Sequence, residues 1–328
     1  MKFRCERDVL VEALGSAGRA VSSRGGAMPV LSGIRAQLAG NDLQLTGSDT
    51  DLTIEVSITV NGESDGLVVL PGRLAAEIVR ALPPGAVVVD IDEEEARITS
   101  GRAEFTIRIL PAEEYPRLPE PGGEPLTIAA SELSAALKQV VPAASSDDAR
   151  PILTGVLLAS EEGGLRLVAT DSYRLAVRDL PGAAVLSEGQ HVLVPSRALS
   201  ELARALAGAE SVDLRLGDRD ASFQVGSIRL TTRLIEGEFP NYRGLIPASY
   251  PNRLTVGRDA LLEAVRRVKL MAREATPVRL VMRSDGLELV AITQDVGQAH
   301  EELDAKYEGT ELTVAFNPEY LLMPVRVL

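Results

Sequence analysis

Two stretches of this chain place arginine where it could hold an anion. "GRLAAEIVRAL" carries Arg73, Glu77 and Arg80, and "SRALSELARAL" carries Arg197, Glu201 and Arg204. A spacing of i, i+4 and i+7 brings all three residues to one face of a helix. Guanidinium groups shown in this way suit phosphate, because they stay charged and offer several N–H donors. One such helix equally describes a solvated face with an intrahelical ion pair. Two in equivalent places shift the weight to a shared anionic partner. A third polar cluster, "VATDSYRL" at 168–175, follows the alternating Leu165, Leu167 and Ala169, so it reads as a strand, a turn and a strand. Its Thr170, Asp171, Ser172, Tyr173 and Arg174 are more chemistry than a tight turn requires. "LTGSDTDL" at 45–52 resembles it.

Catalytic chemistry is poorly supplied. His191 and His300 stand far apart in the chain with no nucleophile phrase beside them. His300 next to two glutamates is a weak metal signature and reads as a solvated strand. "DIDEEEA" at 90–96 and "SSDDAR" at 145–150 read as acidic turns. No Walker loop or dinucleotide glycine fingerprint occurs. Cys5, the single cysteine, lies in the alternating "MKFRCERD" and reads as a strand side chain. The expectation is a protein without enzymatic activity, metal or cofactor.

With 328 residues, 45% hydrophobic and 25% charged, the chain has the size and balance of two or three globular domains. Its 34 Lys and Arg against 47 Asp and Glu give a net charge of −13, which argues against broad wrapping of a nucleic acid but allows a local basic stripe. Aromatic content of 3%, with no Trp, disfavours a base-stacking platform. No apolar run is long enough for a bilayer, no basic-then-apolar leader opens the chain, and one cysteine fits a reducing cytoplasm.

The elements that must position the polar residues recur. Helix openings at Glu6, Ala130 and Gly257 repeat with a period of roughly 125 residues. Each has apolar residues at helical spacing: Leu10 and Leu14; Leu133, Leu137 and Val140; Leu261, Val265 and Val268. Ser131 and Asp259 are the expected N-caps. The two arginine helices are expected to bury Leu74, Ile78 and Leu82, or Leu199, Leu202 and Leu206, on the opposite face. Strand–turn–strand phrases begin at Leu43, Leu165 and Leu287, and proline-rich stretches near 116–125 and 240–251 mark domain borders. The expected domains are 1–121, 122–247 and 248–328. The third is short. Pro195 precedes Thr231 by 36 residues, whereas the counterparts Asn317 and Met323 are 6 apart, so a second helix and about two strands are expected to be missing after Leu321.

"MKF", "SGRAEFTI", "LPAEEYPRLP", "ATDSYRLAV", "GEFPNYRGLIP" and the terminal "MPVR", in this order along the whole chain, resemble the bacterial DNA sliding clamps, the β subunits of DNA polymerase III. The resemblance implies an α+β fold of three repeated clamp domains, with helices lining a ring and antiparallel sheets outside. It implies a head-to-tail homodimer around double-stranded DNA, opened by a separate clamp loader, that tethers DNA polymerase and repair proteins through short linear peptides. By this resemblance the peptide groove comprises Leu153, Thr170, Ser172, Tyr173, Arg174 and Leu175, then Pro240 and Leu245, then Leu321, Met323, Pro324, Val325 and Arg326. The DNA-facing cations are Arg24, Arg73, Arg80, Arg197, Arg204, Arg266, Arg267 and Lys269. Ring closure sets Phe105 and Ile107 against Leu270 and Met271. Tyr173 stands where the family often has His or a similar ring, and Gly244 where it often has a basic residue, which alters the implied peptide preference. The alternative is a repeat scaffold that binds peptides without closing around DNA.

Overall fold

The computed structural model describes residues 1–22, 28–118, 122–272 and 276–327. The first unit runs β1 (Lys2–Glu6), α1 (Arg7–Gly18), β2 (Gly33–Ala39), β3 (Asp42–Ser48), β4 (Leu52–Thr59), β5 (Asn61–Ser64), β6 (Gly66–Pro71), α2 (Gly72–Ala81), β7 (Ala86–Ile91), β8 (Glu95–Ser100) and β9 (Ala103–Arg108). The second runs β10 (Leu126–Ala129), α3 (Ala130–Val140), β11 (Gly155–Glu161), β12 (Gly164–Thr170), β13 (Leu175–Leu180), β14 (His191–Pro195), α4 (Ser196–Ala205), β15 (Ser211–Leu216), β16 (Asp220–Val225) and β17 (Ile228–Arg233). The third runs β18 (Arg253–Val256), α5 (Arg258–Val268), β19 (Val278–Arg283), β20 (Gly286–Thr293), β21 (Gly297–Leu303), β22 (Ala305–Glu308), β23 (Leu312–Phe316) and α6 (Pro318–Val327).

Every unit begins with a strand that turns directly into a helix. The expected caps Ser131 and Asp259 do not cap: α3 and α5 begin two residues earlier than such caps imply, behind Ala129 and Gly257, with no side-chain cap. In the first two units the helix entry is served by a distant carbonyl instead. Arg7 N–H donates to Gly85 O at 2.8 Å, and Ala130 N–H to Glu210 O at 3.0 Å. An orphan N–H that already has a backbone acceptor needs no capping side chain. Leu74 is exposed, because α2 buries Ala75, Ile78 and Val79 and residue 74 falls beside that stripe. On α5 likewise Leu262 is buried and Leu261 only partly.

The third unit differs from the expectation in a definite way. Its second helix is present, formed by the terminal "PEYLLMPVRV" and packed on α5 as α2 packs on α1 and α4 on α3. What it lacks, among the described residues, are counterparts of three strands: β7–β9 in the first unit and β15–β17 in the second. Consequently β18 pairs only with β22, whereas β1 lies between β5 and β7.

Units one and two are joined edge to edge. An eight-stranded sheet, β10-β15-β16-β17-β4-β3-β2-β6, crosses their boundary through the antiparallel pair β17 and β4. Their apolar interior is one continuous cluster from Phe3 to Leu230, while the third unit has a separate, smaller one around Val265, Leu289 and Leu322. The helices form a second layer. α1 touches α2, α3 touches α4 and α6, and α5 touches α6. The α1–α4 step is made by Arg19 Nε on Glu201 at 2.6 Å. The order α2-α1-α4-α3-α6-α5 is therefore continuous across all three units.

Candidate nucleic-acid and peptide interfaces

The cations of the helix layer fall into two groups. Arg73 projects almost fully into solvent and pairs with Glu77 at 2.8 Å, whose hydrogen bond and then charge hold its pKa above the usual value. Arg80 and Arg204 are also exposed, and Arg204 has only a long ion pair of 3.9 Å to Glu201. Arg266 is likewise paired within its own helix, and the others are committed to partners outside theirs. Arg197 donates to Asp49 of the first unit, an ion pair across the β17–β4 boundary rather than within its own helix. Its intrahelical neighbour Glu201 is taken by Arg19. Arg266 pairs with Glu263 at 2.7 Å, Arg267 with Glu301, and Lys269 with Glu319. Arg267 is raised in pKa, first by its hydrogen bond to Glu301. Arg24 lies outside the described residues.

The polar turn between β12 and β13 is organised by a carboxylate. Asp171, buried, accepts from the N–H groups of Tyr173 at 2.9 Å and Arg174 at 3.0 Å with one oxygen, and from Arg174 Nε at 2.9 Å with the other. Thr170 donates from Oγ1 to Arg174 O at 2.7 Å and accepts Ser172 N–H at 3.1 Å, which holds Ser172 at φ 79°. Side chains at the tip are thereby set outward, with Tyr173 78% exposed.

Across from this turn stands α6. Arg174 lies over the Tyr320 ring at 4.7 Å and donates from Nη1 to Met323 Sδ at 3.0 Å, and the Tyr173 and Tyr320 rings are 6.3 Å apart. Gln139 of α3 donates to Val327 O at 3.1 Å. The terminal run is helical, so its side chains spread around a turn instead of forming one wall. Leu321 and Val325 pack on the third unit's own core and only Met323 meets the hairpin, which corrects the expectation that all of "MPVR" faces the groove. Pro324 and Arg326 are exposed, and Arg326 O accepts from Arg258 on the third unit's own helix. Leu153 is buried and Leu175 joins an apolar cluster with Val168, Leu157 and Tyr242. Pro240 lines a cavity of about 430 Å³ with Leu157, His191 and Tyr242, and Leu245 stands exposed. On β9, Ile107 is buried and belongs to the first unit's core, so it is not available as an interface side chain. Phe105 on the same face, Leu270 and, in part, Met271 remain open.

Models of the N-terminal, central and C-terminal domains of the DNA polymerase III beta subunit match residues 1–119, 127–241 and 243–328. The chain belongs to this family, the bacterial sliding clamps. It is 37% identical to the beta sliding clamp of Streptomyces coelicolor over 333 residues, covering 98% of this chain and 87% of that protein. The crystal structure of the DNA polymerase sliding clamp from Bacillus subtilis superposes with a TM-score of 0.91 at 33% identity, over 100% of this chain and 90% of that one. The sliding clamp from Bartonella birtlesii bound to griselimycin gives 0.92 at 31%, with the same coverage.

Two residues around this clamp's polar turn are not singled out by the sequence. Asp171 stands among neighbours of equal promise, although the repeat carries a signal for it. Asp49, its counterpart in the first unit, accepts the N–H groups of Asp51 and Leu52 in the same way. Tyr320 has no signal, since its packing under Arg174 depends on a helix nearly 150 residues away in the chain.

Proposed function

We propose that this sliding clamp acts as a head-to-tail homodimer, six clamp units closed around duplex DNA, that holds polymerase and repair proteins on the template. We take the units as 1–121, 122–247 and 248–328. One observation carries the ring: the edge-to-edge junction of β17 with β4 is built from parts that recur, open, at both ends of the chain. β9 corresponds to β17 and β21 to β4, and neither has a strand on its outer edge among the described residues. Leu230 on β17 is 2% exposed under β4, while its counterpart Phe105 on β9 is 40% exposed. A second copy's β21 covers Phe105 in the same register, with Leu270 and Met271 beside it. The interface is heterologous and closes because two copies complete the circle.

Arg73, Arg80 and Arg204 are the phosphate-binding residues we favour, with Arg24 and Arg266 as further candidates. Arg197, Arg267 and Lys269 serve DNA only by leaving their acid partners. Such residues carry charge but read no sequence, which suits sliding, and a net charge of −13 over the whole chain discourages nonspecific grip. The turn at Thr170–Leu175, with Leu153, Pro240, Leu245 and Met323, takes a partner's short peptide. The chain itself is a non-catalytic processivity factor of the cytoplasm and relies on a separate clamp loader for opening.

The test is topological. After loading, the protein is expected to stay on nicked circular DNA through gel filtration and to leave once the circle is cut. A monomer that binds partner peptides with no dependence on DNA topology overturns the ring and leaves a peptide scaffold.

A further inference from the structure

The first boundary fixes what lies opposite what when a strand of the β17 type pairs with one of the β4 type. There Leu230 meets Ile54 in the core, and on the outer face Arg229 meets Glu55 with an ion pair at 3.5 Å. The ring-closing strands carry the same positions in the same frame. The two-residue turns after Ser100 and Val225 align Glu104 with Arg229 and Phe105 with Leu230. The strand phrases opening at Leu43 and Leu287 align Thr46 with Val290, and the residues opposite these are Glu55 and His300. Ala299 then takes the place of Ile54. We propose that His300 of one copy pairs with Glu104 of the next on the outer face of the ring, so that ring closure tightens as pH falls and the imidazole gains its proton. This rests on the ring reading above and adds to it a contact that titrates.

The residues exchanged between the two junctions are complementary at both positions. In the core-facing pair, Leu230 beside Ile54 becomes Phe105 beside Ala299: the side chain grows on one strand and shrinks on the other, which keeps the filled volume similar. Ala299 lies at the edge of the third unit's core, half-buried, where an incoming ring has room. In the outward pair the polarity is reversed. β17 offers the cation and β4 the acid, whereas β9 offers the acid and β21 an imidazole. An acid facing neutral imidazole gains an ordinary hydrogen bond at most, and one facing imidazolium gains a charge-assisted bond.

His300 is exposed, and its Nδ1 already lies 3.0 Å from Glu288 on β20. Its Nε2 is the atom left for the second copy, so a closed ring sets the imidazole between two carboxylates. The remaining charges on this face stand behind those two. Glu302 lies opposite Glu288 and is two residues along the strand from His300. Arg283 takes Glu288 at 3.4 Å, and Arg97 reaches Glu104 at 3.7 Å from the far side of β9. Arg279 is a strand further off, opposite Val290. The acids meet His300 directly and the guanidiniums do not, so closure favours the charged imidazole. Association then takes up protons: the contribution is full at low pH and is lost as pH rises and the ring gives up its proton.

With only two histidines in the chain, the contact can be isolated. The monomer–dimer equilibrium of the full chain is measured by sedimentation at about pH 6 and about pH 8, at constant ionic strength. The dimer is expected to be about tenfold tighter at the lower pH, roughly threefold from each of the two interfaces of the ring. His300→Gln and Glu104→Gln should each remove the difference, and His191→Gln should leave it in place. A dimer of equal affinity at both pH values, or a difference that survives His300→Gln, overturns the pair and leaves the ring standing. A chain that stays monomeric at both overturns the ring reading and the pair with it.

Discussion

Asp171 shapes the turn between β12 and β13 by accepting two backbone N–H groups and one guanidinium from within four residues of chain. Removing it leaves those donors in a half-buried site, at a cost of about 1–3 kcal/mol. Asp171→Ala is therefore expected to lower the denaturant midpoint and to weaken groove peptides roughly tenfold, as measured by unfolding curves and anisotropy. A loss of stability with peptide affinity intact would detach the turn from binding. Cys5 offers a second residue-scale check. Burial, and then the charge of Glu6, push its thiol up to about 11 from 9.0. A thiol whose folded pKa is raised keeps its contribution below pH 9 and loses it as pH climbs toward 11, because the unfolded chain ionises first. Native protein should thus resist alkylation at about pH 8 and lose stability as pH rises from 9.0 to about 11, and rapid labelling at the lower pH would contradict the burial.

Among the helices, equal-looking arginines divide by what lies beside them. The side chains of Arg73, Arg80 and Arg204 have no ion-pair partner outside their own helices among the described residues, whereas Arg197 bridges to Asp49 across a unit boundary. Replacing the first three with alanine should flatten the slope of log affinity against log salt by about 0.9 for each phosphate no longer neutralised. Arg197→Ala should act on stability instead. A double-mutant cycle with Asp49→Ala is expected to show coupling of about 0.5–1 kcal/mol. A salt slope that falls for Arg197→Ala without coupling to Asp49 would reassign it to DNA. The helix spacing makes all of these residues legible as a set. Their division is not, because Asp49, Glu301 and Glu319 reach them from strands, turns and helices distant in sequence.

At the scale of the whole molecule the third unit stands apart. Its core is separate, and among the described residues its first strand has no neighbour of the kind that β7 gives β1 and β15 gives β10. Among the described residues the boundary with the second unit rests on α3, α6 and the bonds made by Arg174 rather than on a shared sheet. Less buried apolar area and fewer strand pairs make it the first part to open. Calorimetry is expected to show two transitions, and limited proteolysis near 245–252 should release a stable fragment holding the first two units. A single cooperative transition with no such fragment would mean that the helix layer alone couples all three.

Periodicity in the chain is enough to determine the threefold repeat and the helices that carry arginine, while the ordered motifs from "MKF" to "MPVR" carry the resemblance to the family. A second helix is expected to be missing after Leu321, and only packing of the tail "EYLLMPVRVL" against α5 supplies it, so that counterparts of three strands are what the described residues do not include. Which cations remain free, where Met323 points and which sheet edge is left open are decided by tertiary structure. Each of these depends on neighbours brought together from different units, and no local pattern encodes the distance between them.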